Sequence, residues 1–113
     1  MADTRILLFG DATSDTLVKV LGRPGRSLTR IDDPEQLVTV PADQHVIVLD
    51  AVPGPRSLAD MCREVRAVPA LAEVPILAIS ASDDVEERIR LLEAGADDVM
   101  SRPVDERELD ARV

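Results

Sequence analysis

The 113 residues suffice for one domain with an ordinary core, and that core has to be aliphatic because the chain has one Phe and neither Trp nor Tyr. Thirteen basic residues against 22 acidic ones give a net charge of −9, which repels nucleic-acid phosphates and anionic lipid headgroups and argues against direct binding to nucleic acid or a membrane. No apolar run approaches the roughly 18 residues that cross a bilayer, and Met1-Ala2-Asp3-Thr4 has no basic, apolar leader, so the chain reads as soluble and cytoplasmic.

Short apolar runs rich in β-branched residues alternate with longer amphipathic stretches, the rhythm of βα units around a parallel sheet. The first strand is expected at 5–10, followed between Ser14 and Gly22 by a helix of about two turns and a turn at Arg23-Pro24-Gly25. A second strand at 27–31 leads to Asp33-Pro34-Glu35, a helix start with proline at the first helical position, and this helix must end by Pro41. The third strand is expected at 45–50. Residues 6–9 and 46–49 are apolar almost throughout, as in strands covered on both faces, which places both centrally in the sheet.

The third helix carries Leu58, Met61, Cys62 and Val65 on one face, with Asp60, Arg63, Glu64 and Arg66 on the wet side. Cys62, the single cysteine, cannot form an internal disulfide and belongs to that packing stripe. A fourth strand at 75–80 precedes a helix that starts from Ser82 or Asp83 as N-cap, turns Val85, Ile89 and Leu92 toward the core, and stops at Gly95. A fifth strand at 97–101 leads to a last helix opening at Asp105, with Glu108 in the capping-box position and Leu109 and Val113 as its large apolar residues. That helix is marginal at about two turns, so the polypeptide is expected to continue past Val113 or to fray there. Residues 1–113 read as one compact unit without repeats or linkers.

Two of the apolar runs deliver a carboxylate at their downstream ends, Asp11 and Asp50; a third delivers the hydroxyl of Ser80, and the fifth runs into Arg102-Pro103. In an open parallel sheet, ligands bind beyond the carboxyl ends of the strands where the strand order reverses. Two acids, a hydroxyl and a cation meeting at that edge describe a phosphoryl and metal site.

Over nearly its whole length the chain resembles the receiver domain of bacterial two-component response regulators. The most specific stretch is Gly95-Ala96-Asp97-Asp98-Val99-Met100-Ser101-Arg102-Pro103, which is similar to the family's signature ending in Lys-Pro. Val46-Ile47-Val48-Leu49-Asp50 resembles the strand that ends in the phosphoacceptor aspartate, and Pro75-Ile76-Leu77-Ala78-Ile79-Ser80-Ala81 the strand that ends in Thr/Ser-Ala. The resemblance implies a doubly wound (βα)5, flavodoxin-like three-layer α/β sandwich with a parallel five-stranded sheet of order 2-1-3-4-5. It implies a signalling module, not a turnover enzyme, in which Asp50 takes a phosphoryl group from a histidine kinase or phosphotransfer protein. Asp11, Asp50 and the backbone carbonyl of Val52 would hold Mg²⁺, Ser80 would donate to the phosphoryl oxygen, and Arg102 would stand where the family has lysine. Magnesium suits one or two carboxylates plus phosphate oxygens and retained waters. An attached or separate output domain is implied as partner, as is a homodimer through the fourth helix, fifth strand and fifth helix, with Arg90, Asp97, Glu108 and Arg112 as candidate contacts.

The chain departs from the family at Gly10, which occupies the place of the first of two adjacent acids, and a lost charge about 6 Å from a divalent ion weakens binding by roughly one to a few kcal/mol. Magnesium affinity is therefore expected to be weak. Arg102 is a planar fork in place of a point charge, and Val99 replaces an aromatic side chain that many receivers use as a switch. The loop Ala51-Val52-Pro53-Gly54-Pro55 lacks the family's proline four residues after the aspartate. These departures motivate an alternative, a divergent receiver that acts as a phosphorylation-independent protein-interaction module. An aspartate-nucleophile phosphatase is disfavoured because Val52 stands where that class has its second aspartate.

Overall fold

The computed structural model describes residues 3–10, 15–50 and 57–113. Five strands, β1 (Thr4–Gly10), β2 (Arg26–Ile31), β3 (Val46–Asp50), β4 (Ile76–Ser80) and β5 (Asp98–Ser101), form an all-parallel sheet in the order β2-β1-β3-β4-β5. Helices α1 (Asp15–Leu21), α2 (Leu58–Arg66), α3 (Val85–Ala94) and α4 (Glu106–Arg112) cover it, giving the flavodoxin-like three-layer arrangement. Every strand lies within one residue of its sequence-based expectation, and β1 and β3 are interior strands.

Side chains alternate across the sheet and so divide the core in two. Leu7, Phe9, Ile47, Leu49 and Ala78 pack with Leu58, Met61, Cys62 and Val65 of α2 on one face. On the other face Ile6, Leu8, Val46, Val48, Leu77 and Ile79 pack with Leu17, Val20 and Leu21 of α1 and Leu109 of α4, with Val104 and Val113 alongside. Each fully buried Leu or Ile contributes about 1.5–3 kcal/mol of transfer free energy, so the absence of aromatic bulk is met by the number of aliphatic side chains. Among the described residues no helix is long and apolar enough to cross a membrane.

Four local features differ from the sequence expectation. The segment after β2 is a 3-10 helix, Pro34–Thr39; Asp33 caps it, with Gln36 completing the reciprocal capping pair. Proline at its start and Pro41 beyond its end leave too little length for a settled α-helix. The N-cap of α3 is Asp84, whose carboxylate accepts from the Glu86 N–H, and not Ser82 or Asp83. The register of α3 on the sheet is also rotated: Leu91 is fully buried and Ala94 partly so, whereas Val85, Ile89 and Leu92 are 65%, 49% and 45% exposed. The apolar stripe at i, i+4 and i+7 thus faces outward.

Arg66 is the fourth difference. It sits at the end of α2 with its guanidinium turned inward, donating to Gly95 O from both Nε (3.1 Å) and Nη2 (2.7 Å). Nη1 donates to Ala72 O at 2.9 Å and Val74 O at 2.7 Å, and Nη2 reaches Asp97 Oδ2 at 2.8 Å. The same Asp97 oxygen accepts from the Ile76 N–H at 2.7 Å. One side chain therefore ties the end of α2 to the end of α3 and the entries of β4 and β5. Gly95 is required at this junction, since its φ is +120° and an added Cβ would lie 2.8 Å from Arg66 Cγ.

Candidate functional site

The carboxyl ends of β1, β3, β4 and β5 carry the candidate residues. Asp50 is the last residue of β3, in register with Gly10 on one side and Ile79 on the other. It extends the alternation of Val46 and Val48 past the apolar layer, toward the face covered by α1 and α4. Its side chain is only 1% exposed, because strands line it on both sides. Ser80 is 3% exposed and pairs with Ser101 across β4 and β5. Beyond that pair the ladder continues for one more bond, Arg102 N–H to Ser80 O at 2.9 Å, which seats Arg102 beside β4. The Arg102-Pro103 peptide bond is cis.

Arg102 Nη2 donates to Asp50 Oδ1 in an ion pair whose carboxylate is buried and whose guanidinium is 31% exposed. Asp50 Oδ2 is buried and, among the described residues, has no hydrogen-bond partner. Burial pushes the Asp50 carboxyl above its ordinary value, and the hydrogen bond and charge of Arg102 offset part of that rise. A buried carboxylate with one oxygen unmatched is suited to an additional positive partner, so the chemistry of the site fits a divalent cation. Gly10, the strand neighbour, contributes no second carboxylate.

Asp11 and Val52, the other two positions expected to ligate metal, lie outside the described residues. Among the described residues no group of three His, Cys, Asp or Glu side chains is arranged to hold a metal ion. Asp50, Ser80 and Arg102 are brought to one edge, with Asp50 and Arg102 in direct contact and Ser80 joined to Arg102 through the backbone.

Two further serines, Ser82 and Ser101, organise this edge; in the sequence Ser82 reads only as a candidate helix cap, and Ser101 carries no assigned role. Ser80 Oγ accepts from the Ser82 N–H, Ser82 Oγ from the Asp84 N–H, and Asp84 Oδ1 from the Glu86 N–H. Ser101 Oγ donates to Ser82 O. Each side-chain oxygen in the relay meets the backbone N–H two residues on, a turn habit of Ser and Asp. The polar residues at every second position from 80 to 84 were its signal.

On the α3–β5–α4 face, Arg90 pairs with Glu87, while Arg112 pairs with Asp98 and with Glu108. Asp97 is engaged by Arg66 and the Ile76 N–H, which makes it a structural brace instead of a free surface contact.

No family model matches the chain. Sequence comparison finds the sensory transduction protein RegX3 of Mycobacterium bovis, 32% identical over 97% of this chain and 49% of that protein. The response regulator PleD of Caulobacter vibrioides is 33% identical over 75% of this chain and 19% of its own length. The chain spans about half the length of the first of these relatives, or less for PleD. Among solved structures, the receiver domain of the sensor histidine kinase PA1611 from Pseudomonas aeruginosa, described with magnesium coordinated in its active-site cleft, superposes with a TM-score of 0.76 at 28% identity, covering 98% of this chain and 94% of that one. The chemotaxis protein CheY4 of Vibrio cholerae shares the fold, with a TM-score of 0.79 at 18% identity and 98% and 96% coverage of the two chains.

Proposed function

Because the chain belongs to the receiver domains of two-component response regulators, we propose that Asp50 is its phosphoacceptor and that phosphorylation there switches the surface offered to an output domain or partner. The observation that carries this reading is the buried Asp50 carboxylate at the switch-point edge of the sheet, with a cation in contact and a hydroxyl one strand away. A carboxylate oxygen of Asp50 attacks the phosphorus of a phosphohistidine on a histidine kinase or phosphotransfer protein. The phosphorus–nitrogen bond breaks, and the imidazole nitrogen keeps its electron pair and takes a proton from solvent.

The residues divide the work by charge. Arg102 neutralises the incoming phosphoryl oxygens. Ser80 already accepts the Ser82 N–H on its oxygen, so its hydroxyl proton is left to donate to a phosphoryl oxygen. Asp50, with Asp11 and the Val52 carbonyl, would hold Mg²⁺, which would supply charge neutralisation at the phosphoryl oxygens. Positioning and electrostatics of this kind account for most of the catalysis in phosphoryl transfer. The outward stripe of Val85, Ile89 and Leu92 supports placing the output or dimer contact on the α3–β5–α4 face.

Incubation with acetyl phosphate or beryllofluoride and millimolar Mg²⁺ should shift the amide resonances of residues 80–82 and 100–102, and Asp50→Asn should abolish the shift. An unchanged spectrum at millimolar Mg²⁺ refutes the phosphoacceptor role. The Asp50–Arg102 pair and Gly10 favour one competing reading, a module that binds its partner without phosphorylation. In that case Asp50→Asn leaves partner binding intact.

A further inference from the structure

We propose that Ser101 is a positioning residue for phosphoryl transfer: its hydroxyl holds Ser82 in place, and Ser82 in turn fixes the direction of the Ser80 hydroxyl. The inference deepens the phosphoacceptor reading of Asp50 and rests on it for its chemistry. Ser80 and Ser101 are in register at the carboxyl ends of β4 and β5, so their side chains leave the sheet on the same face. Between them they grip one residue. Ser80 Oγ accepts from the Ser82 N–H at 3.2 Å, and Ser101 Oγ donates to Ser82 O at 3.2 Å. Both main-chain groups of Ser82 are thus held by hydroxyls from neighbouring strands.

Residues 81–84 are all exposed, so no buried side chain anchors this turn, and the bonds made by the Ser80, Ser82 and Ser101 oxygens set its course. Ser101, by contrast, sits on a fixed base. Met100 before it is buried in the core, and immediately beyond it the Arg102 N–H continues the ladder to Ser80 O at 2.9 Å. The strand therefore positions the turn, and the turn positions Ser80. A hydroxyl oxygen that accepts the Ser82 N–H directs its own proton elsewhere, which is the polarity a donor to a phosphoryl oxygen needs. Loss of the Ser101 bond frees the Ser82 backbone and lets the Ser80 side chain spread over its staggered rotamers. Only a fraction of molecules then present the proton in the productive direction.

The test compares Ser101→Val with Ser101→Thr. The two side chains have nearly the same shape and both suit a strand, so the hydroxyl is the difference between them. The Hα–Hβ couplings of Ser80 should report a single rotamer in the parent and in Ser101→Thr, and averaging in Ser101→Val. With acetyl phosphate and millimolar Mg²⁺, the rate of adduct formation should fall roughly fivefold in Ser101→Val, the size of one ordinary hydrogen bond, and return in Ser101→Thr. Couplings or a rate left unchanged by Ser101→Val overturn the proposal. So does a loss shared by Ser101→Thr, because shape and not the hydroxyl then governs. Should Ser101→Val fail to fold, Ser101→Ala takes its place with the same expected averaging and loss. The absence of any adduct in the parent refutes the phosphoacceptor role of Asp50, and the Ser80 couplings alone then decide whether Ser101 holds the turn.

Discussion

Replacing Arg66 by alanine should cost about 2–4 kcal/mol, an unusually large loss for an arginine on a helix otherwise edged with solvated charges. The guanidinium serves Gly95 O, Ala72 O, Val74 O and Asp97 Oδ2, all within 3.1 Å. Hydrogen bonds to a charged group contribute about 1.5–3 kcal/mol each, and three carbonyls taken separately give about 4.5–9 kcal/mol. That sum is too high, because fixing an arginine side chain costs about 2 kcal/mol in rotamer entropy and water reaches part of the vacated space. With an unfolding entropy of about 2.1 cal/mol/K per residue over 113 residues, each kcal/mol corresponds to about 4 °C, so Tm falls by about 8–17 °C. Urea denaturation followed by far-UV circular dichroism is the assay, since the chain has no Trp or Tyr to report by fluorescence. Arg63→Ala is the internal control: its exposed pair with Asp60, one helical turn away, is worth less than about 0.5 kcal/mol. Equal losses in the two variants would refute the assignment of Arg66 as a brace.

Asp50→Asn should stabilise the free domain at pH 7 by about 1 kcal/mol or more, because it removes a buried charge and leaves a guanidinium that solvent can reach. The Asp50 carboxyl is raised on folding, so its contribution to stability is fully present below the unfolded value and is lost as pH rises through the folded one. The advantage of the Asn variant should therefore vanish in acid; an advantage that is independent of pH would contradict the sign. Gly10→Asp should raise Mg²⁺ affinity by about tenfold while lowering Tm in the absence of the ion, since two carboxylates then face each other across β1 and β3. Calorimetric titration showing unchanged affinity would exclude a nearby cation. Burial pushes the Cys62 thiol up to about 11, so a thiol reagent at neutral pH should label it only at the rate of unfolding. Rapid labelling of the folded chain would contradict the packing of α2.

Legibility in the sequence followed the range of the interactions that decide each feature. Strands such as Val46–Asp50 were readable because a buried parallel strand needs a continuous apolar run, and its carboxyl end announces itself by the change to a polar residue. The candidate positions Asp50 and Ser80 were readable for the same reason, each being the first polar residue at the end of its apolar strand, and Arg102 as the first basic residue past the end of β5. The orientation of α3 was not. Val85, Ile89 and Leu92 make the more apolar stripe, yet packing against α2 and β5 buries Leu91 and part of Ala94 instead. Nor was Arg66 readable, because its partners lie up to 31 residues away and its neighbours on the helix edge are ordinary surface charges. The pairing of Arg102 with Asp50, 52 residues apart, belongs to the same class.

The sheet has one further consequence. Its two aliphatic layers meet no side chain in common, since each strand sends alternate residues to opposite sides. A defect in one layer is felt by the other only through the spacing of the strands. Truncations such as Val65→Ala under α2 and Leu17→Ala under α1 should therefore penalise the fold independently, and this small domain behaves energetically as two thin cores sharing a wall.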